Sequence, residues 1–397
     1  MPTTSYFELL TQPSSPASPR VGLLHTAHGD VETPAFLPVA TQGTVKAVSP
    51  GDLCALGVSF LIANSYHLMM RPGTDLIEAL GGLHRFMDWD RPIATDSGGF
   101  QIFSLGHLKK LTDNDVTFQS HIDGALHTLT PESAVRNQER LGVDVMMALD
   151  QCLGYTEDLD DVRKAVDRTT LWAGRCREAW TGLGLLYGIV QGGVFPEERA
   201  RSAEAITALD FPGYAVGGLS VGEPKAKMLL TLDAVCPLLP VDRPRHLLGV
   251  GSPEDLLEGI ARGIDQFDCV LATRAARNGS LYAAQGRVNI LNARYRTEAG
   301  PLEEGCDCPT CARFSAAYLH HLFKSKEILG LRLATLHNVR FMARLLEQAR
   351  RAIREERFAQ FKEAFLAGYE VTDEETRMAQ RARWLEARGP DPASTAE

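Results

Sequence analysis

The chain has 397 residues, 44% of them hydrophobic and 23% charged, with a formal net charge of −9. That length suits one large α/β domain with an appendage, or two domains, and the 35 glycines and 21 prolines exclude a bundle of long helices. The acidic balance excludes nonspecific coating of nucleic acid, no apolar run approaches the ~20 residues of a membrane-spanning helix, and no basic-then-apolar leader opens the chain, so a cytoplasmic protein without a membrane partner is expected.

Short apolar runs recur along the chain, several of them ending at a polar or glycine-rich turn. They cover residues 35–40, 58–63 before Asn64, 93–95 before Asp96, 143–149 before Asp150, 185–190 before Gln191, 214–216 before Gly217, 246–250 before Gly251, and 267–271. The stretches between them are mostly amphipathic, so the eight runs read as β/α units. Ser49-Pro50, Thr130-Pro131-Glu132 and Ser252-Pro253-Glu254-Asp255 each place a capping hydroxyl ahead of proline at a first helical position. Eight such units predict an α/β fold, a (β/α)8 TIM barrel. The alternative, an open doubly wound sheet, lacks a Gly-x-Gly-x-x-Gly turn after an early strand. The barrel core is placed at 1–280, a subdomain that carries three clustered cysteines, Cys306, Cys308 and Cys311, at 281–340, and a closing helix with a frayed tail at 341–397. Within these, 312–322 and 324–336 read as helices, 338–365 as the long closing helix, and 389–397 as the frayed end.

In a barrel the residues just after the strands share one mouth, where the chemistry is done. That gathers Asn64, Asp96, Asp150, Gln191, Gly217, Gly218 and Asp268. A lone aspartate at such a place is as readily a cap or an ion-pair partner; three at one mouth are harder to explain that way. Two carboxylates beside a sugar are what cleavage at an anomeric carbon needs, one as nucleophile and one as acid/base. The remaining groups suit a purine. Asp150 can accept from ring and exocyclic N–H groups, while Gln191 and the Gly218 amide can donate to a carbonyl oxygen. The paired glycines 98–99, 192–193 and 217–218 give backbone room for a flat ring, and Phe100 and Leu248 can close over its faces.

Further along, Cys306, Cys308 and Cys311 fall within six residues. Thiolates at such spacing converge on one tetrahedral ion, and a Cys3His set leaves no position for water, so the expected zinc is structural. A disulfide would need an oxidising compartment, and three clustered thiols cannot pair evenly. Of three candidate histidines, His320 and His321 would lie roughly 14 Å beyond Cys311 on a helix; His337 follows a second helical run that can fold back, and is the expected fourth ligand. Residues 271–350 carry a charge of +6 against −15 for the rest of the chain. A basic stretch is often only a solvated helical surface, but this one surrounds the cysteine cluster.

Taken in order, Asn64-Ser65-Tyr66-His67-Leu68, Asp96-Ser97-Gly98-Gly99-Phe100-Gln101, Ile189-Val190-Gln191-Gly192-Gly193, Tyr214-Ala215-Val216-Gly217-Gly218-Leu219, Thr273-Arg274 with Arg277-Asn278-Gly279, and the cysteine cluster resemble the queuine tRNA-ribosyltransferases, the bacterial tRNA-guanine transglycosylases. The resemblance runs from about residue 6 to 368. It implies exchange of the wobble guanine of GUN-anticodon tRNAs for 7-aminomethyl-7-deazaguanine (preQ1), with guanine or preQ1 as free base. It implies Asp268 as nucleophile and Asp96 as general acid/base, an assignment the residues alone leave open between the two. It further implies base recognition by Asp150, Gln191, Gly218 and Leu219 between Phe100 and Leu248, anticodon contacts by Arg274 and Arg277, one structural Zn2+ per subunit on Cys306, Cys308, Cys311 and His337, and a homodimer. Val221 resembles bacterial members that take the aminomethyl base. Five positions depart from the usual pattern: Ala272 replaces proline, Ala275-Ala276 replace Ser-Gly, Gln151 replaces glutamate and Leu248 replaces methionine. A non-catalytic partner subunit would lack the nucleophile, an archaeal relative would need further C-terminal RNA-binding domains, and a zinc hydrolase would need an open metal at the mouth.

Overall fold

The computed structural model describes residues 6–104 and 108–371. Sixteen strands occur among them. In chain order they are β1 Phe7–Leu9, β2 Gly22–Thr26, β3 Gly29–Thr33, β4 Ala35–Ala40, β5 Leu61–Ala63, β6 Ile93–Thr95, β7 Leu108–Leu111, β8 Val116–Gln119, β9 Leu126–Leu129, β10 Val145–Met147, β11 Leu185–Val190, β12 Gly213–Val216, β13 Arg245–Leu247, β14 Gln266–Cys269, β15 Ser280–Ala283 and β16 Gly286–Asn289. Eight of these close into a parallel barrel in the order β4-β5-β6-β10-β11-β12-β13-β14, with β14 pairing back onto β4 through Phe267 opposite Phe36 and Asp268 opposite Leu37. Each barrel strand falls within or overlaps an apolar run read from the sequence, so the TIM barrel stands.

Strand alternation divides the apolar residues into two clusters. Ala35, Leu37, Phe60, Ile62, Ala94, Val145, Met147, Leu185, Tyr187, Ile189 and Ala215 fill the lumen, and Phe7, Leu24 and Val31 join them. Those last three come from β1, β2 and β3, an antiparallel sheet that plugs the end of the barrel where the strands begin. The opposite faces of the strands pack outward against the helices. A second antiparallel sheet, β7-β8-β9, stands between β6 and the helix Pro131–Leu141. Neither small sheet follows from the β/α pattern, because both are short excursions outside it.

Helix starts obey their capping chemistry. Ser49 and Thr130 form capping boxes with Asp52 and Ser133, Ser252 accepts from the Asp255 amide, and proline occupies the first turn in all three. The helices near the C-terminus differ from the expectation. The 312–322 run is broken at Phe314 and Ser315 into Pro309–Arg313 and Ala316–Lys324, where Ser315 caps the new helix. The 324–336 and 338–365 runs share one helix, Ile328–Arg354, which crosses residue 340 without interruption; a turn then leads to Phe358–Gly368. His337 therefore sits in mid-helix, not at a helix end. The apolar stripe Leu333, Leu336, Phe341, Leu345 and Ala349 continues on both sides of it, so nothing favours a break there. Residues 389–397 lie outside the described residues.

At the plugged end, Asp144 joins three elements. Its Oδ1 accepts from Nδ1 and the backbone N–H of His28, at 2.8 and 3.2 Å, and its Oδ2 from Nε2 of His84 and the Ile93 amide, at 3.0 and 2.9 Å. The two imidazoles stack with centroids 3.5 Å apart. Burial alone would raise the carboxyl's pKa, but the bonds from His84, Ile93 and His28 outweigh it and hold the group below its ordinary value. A depressed pKa means stability that is present above the unfolded-state value and lost as pH falls through the folded one. Asp144→Asn is expected to lower unfolding free energy by about 3 kcal/mol near neutral pH and to flatten the loss of stability in acid; urea titrations at several pH values measure both.

Candidate active site and metal centre

All eight barrel strands end at the mouth opposite the plug, and the polar residues that terminate them face one another there. Asp96, after β6, is held by four donors. Asn64 Nδ2 and Gln101 Nε2 reach Oδ2 at 2.6 and 3.1 Å, and the amide and hydroxyl of Ser65 reach Oδ1 at 3.0 and 3.3 Å. Burial pushes its pKa up to about 7; the Ser65 amide opposes that shift, and the nearby charge of Asp268 adds to it. Asp268, in β14, accepts at Oδ1 from His246 Nε2 at 2.9 Å and from the Gly249 amide at 3.2 Å. The two carboxylates thus share one mouth and sense each other.

Asp150, after β10, belongs to a second, drier group. Its Oδ2 accepts from Gln191 Nε2 at 2.7 Å and its Oδ1 from the Ser97 hydroxyl at 3.5 Å. Burial raises its pKa to about 6, against the opposing bonds from Gln191 and Ser97. At neutral pH it remains mostly ionised and can accept from paired N–H groups. A small cleft opens beside Gln191, Gly192, Gly193, Gly218, Val221 and Glu223.

Two of the glycines here also allow close packing of the protein on itself. A Cβ on Gly99 would lie 2.9 Å from the Asp150 carbonyl oxygen, and one on Gly218, whose φ is +66°, would lie 2.3 Å from Gln191 Oε1. They allow neighbouring strand ends to pack on one another and so fix Asp150 and Gln191.

Other predicted residues are distributed around this centre. Phe100 projects from the helix Gly99–Ser104 and is 47% exposed. Leu248 packs against the lumen cluster from above, and Leu219 is buried in the loop after β12. Arg274 and Arg277 lie on the helix Leu271–Arg277 that follows β14. Arg274 is exposed, whereas Arg277 is half-buried with its Nη1 unpartnered, and burial together with the Arg274 charge lowers its pKa. Ala272, Ala275 and Ala276 are the buried face of this helix, packed on Ile328–Arg354. Alanine in place of the usual residues there suits a close helix pair. Gln151 accepts from Arg168 Nη1 at 2.6 Å through its Oε1, a contact a glutamate would also make.

Sequence reasoning missed two groups. Arg199 is fully buried and donates to the carbonyls of Gly193 (2.8 Å), Val190 (2.9 Å), Gly217 (2.8 Å) and Gly218 (3.4 Å), tying the two glycine-bearing loops together. It lies within a helix, and no local pattern marks it. His246 sits two residues before Leu248 on the lumen-facing side of β13, so alternation along that strand would have found it.

The metal cluster forms beside the mouth. Nδ1 of His337 lies 3.7, 3.5 and 3.4 Å from the sulfurs of Cys306, Cys308 and Cys311. With zinc–sulfur bonds of about 2.3 Å and a zinc–nitrogen bond of about 2.0 Å, a tetrahedral site needs sulfur–nitrogen separations of about 3.5 Å. His337 Nε2 donates to the Tyr282 carbonyl at 2.6 Å, which leaves Nδ1 free as the ligand atom. The donor set and spacing are those of a metal site consistent with zinc. His320 instead bonds the Ile290 carbonyl at 2.7 Å, and His321 is exposed.

Residues 15–371 match the family profile described as queuine tRNA-ribosyltransferase. Proteins bearing that name are similar along nearly their whole length. That of Symbiobacterium thermophilum is 48% identical over 389 residues, covering 98% of this chain and 97% of its own. That of Herpetosiphon aurantiacus is 52% identical over 367 residues, with 92% and 94% covered. That of Desulforudis audaxviator is 53% identical over 363 residues, with 91% and 97% covered.

Loss of the metal should act on structure before chemistry. Cys308→Ser is expected to abolish bound zinc by elemental analysis, to lower the thermal midpoint, and to weaken tRNA binding in a filter assay. Retention of full stability and affinity by the metal-free protein would contradict a structural role.

Proposed function

Because the chain belongs to the queuine tRNA-ribosyltransferase family, the tRNA-guanine transglycosylases, we propose that it exchanges the wobble guanine of GUN-anticodon tRNAs, those for Asp, Asn, His and Tyr, for preQ1. The observation that carries this reading is the pair Asp96 and Asp268 at one mouth, the first with a pKa of about 7, next to a buried carboxylate–carboxamide pair suited to a purine.

In the first half-reaction, Asp268 bonds to C1′ of the ribose and the C1′–N9 bond breaks, its electron pair going to the purine. Protonated Asp96 supplies the proton that the departing guanine needs. In the second, Asp96 takes the proton from N9 of preQ1, and that nitrogen bonds to C1′ as the bond to Asp268 breaks. One glycosidic bond replaces another, so no external energy source is required. A pKa near the working pH suits a group that gives and then takes a proton.

Asp150 accepts from the base's N–H edge, Gln191 and the Gly218 amide donate to its carbonyl, Leu219 completes the recognition set, and Phe100 and Leu248 cover the ring faces. The base must leave its stack to arrive there, which favours an anticodon loop. Exposed Arg274 and half-buried Arg277, on the helix after β14, are the donors we assign to neighbouring nucleotides. Zn2+, one per subunit, is held by Cys306, Cys308, Cys311 and His337, and the helix that bears the two arginines is tied to that site through Asn338 and the Ala272 carbonyl. We place the enzyme in the cytoplasm as a homodimer, a state that the exposed Leu291, Tyr318, Ile328 and Leu329 around the metal segment support.

Incubation with a wobble-guanine tRNA and radiolabelled guanine should label the RNA. Asp268→Asn should abolish both label and any covalent RNA adduct on a denaturing gel; an adduct persisting in that variant would remove Asp268 as nucleophile. Since Asp96 begins the reaction protonated, kcat/KM for tRNA should fall as pH rises through about 7. A profile flat across that range would exclude it as the acid.

A further inference from the structure

The two oxygens of Asp268 are not equivalent. Oδ1 receives both hydrogen bonds, from His246 Nε2 and the Gly249 amide, at 2.9 and 3.2 Å. Oδ2 has no hydrogen-bonding partner among the described residues, and the side chain keeps 15% exposure at the mouth. His246, by contrast, is wholly enclosed, with its side chain 0% exposed and its Nδ1 buried without a partner. An imidazolium in that place would bury an N–H with nothing to accept it. The proton therefore belongs on Nε2, and His246 is a neutral donor to the carboxylate.

We propose that His246 is the positioning residue of the nucleophile: together with the Gly249 amide it pins Oδ1 and turns Oδ2 toward C1′ of the ribose. The inference rests on the reading of Asp268 as the attacking group. A carboxylate free to rotate would spend much of its time turned away, whereas one held at Oδ1 stays in attack geometry. The donor's neutrality also matters. A cation bonded to the same oxygen would form a stronger, charge-assisted contact and drain the nucleophile, while a neutral imidazole orients it and leaves Oδ2 its charge. On the return step the incoming N9 displaces Asp268, the bond between C1′ and Oδ2 breaks, and its electron pair returns to the carboxylate. Both donors are already in place to receive that charge.

The test compares His246→Leu with His246→Gln in the full chain, because the Gln side-chain amide can place an N–H near the position of Nε2. The Leu variant is expected to lose roughly 10- to 100-fold in kcat and in the rate of covalent adduct formation, with KM for tRNA and for free base within about twofold. The Gln variant should recover most of that loss. An unchanged kcat in the Leu variant overturns the proposal, and so does a Gln variant as slow as the Leu variant when both melt at lower temperature. Should the Leu variant fail to fold, His246→Asn replaces it. Its amide stops short of Oδ1, so it should be slow where Gln is fast, and equal rates overturn the proposal. Asp268→Asn separates the two levels. An adduct surviving in Asp268→Asn removes the nucleophile itself, while loss of the adduct there with a wild-type rate in His246→Leu removes only the role of His246.

Discussion

Two carboxylates in one poorly hydrated mouth repel each other, and each resists losing its water. Much of the surrounding structure offsets that constraint. Asp96 meets four donors, and Asp268 meets His246 and a backbone amide on a single oxygen. What remains uncompensated appears as a proton affinity near neutrality at Asp96. Such an arrangement holds only if the strand ends cannot drift apart. Closure of the eight-stranded barrel and the apolar lumen beneath, plugged by Phe7, Leu24 and Val31, supply that rigidity.

The metal cluster extends the same rigidity to the segment after β14. His337 and Asn338 are consecutive on one turn of Ile328–Arg354, and they sew three elements together. His337 offers Nδ1 to the cysteines and Nε2 to the Tyr282 carbonyl, while Asn338 accepts from the Tyr282 amide and donates to the carbonyls of Ala272 and Ser280. Ala272 lies in the first turn of the helix that bears Arg274 and Arg277. The cysteines are thus two residues of hydrogen bonding away from the basic helix beside the mouth. Asp307, lying between two of them, accepts from Nε and Nη2 of Arg340 at 2.9 and 2.7 Å, which fixes the loop to the same long helix.

The barrel was legible because most of its strands are buried on both faces and fall within apolar runs that end near a polar residue, while β13 and β14, which carry Arg245, His246, Gln266 and Asp268, only overlap such runs. The metal ligands were legible because three lie within six residues and geometry leaves few histidines to complete the set. The helix Ile328–Arg354 was misread because His337 and Asn338 look like a polar interruption. In the fold they point inward, toward the metal site and β15, and the apolar stripe passes through them. The small sheets escaped because β1, β2, β3 and β7, β8, β9 are short antiparallel pieces inside a parallel pattern. Arg199 escaped for a different reason: its partners are backbone carbonyls brought together only by the fold, so no side-chain motif announces it. The paired glycines also show a packing role that the sequence did not suggest, since an added Cβ at Gly99 or Gly218 would meet a neighbouring loop.

Three aspartates of the same chemical type end three strands of one barrel, and their surroundings set them apart. Asp150 is enclosed with a carboxamide and a hydroxyl, which suits it to reading an edge of N–H groups. Asp96 is ringed by donors yet close to a second negative charge, which leaves its proton labile near neutrality. Asp268 is the one of the three with an oxygen that has no hydrogen-bonding partner among the described residues, and its other oxygen is held by His246 and the Gly249 amide. In the proposed reaction these become recognition, proton transfer and attack. The division follows from burial, neighbouring charge and hydrogen-bond count rather than from residue type. This is why the motif alone could not say which aspartate attacks, and why His246, absent from any motif, bears on the answer.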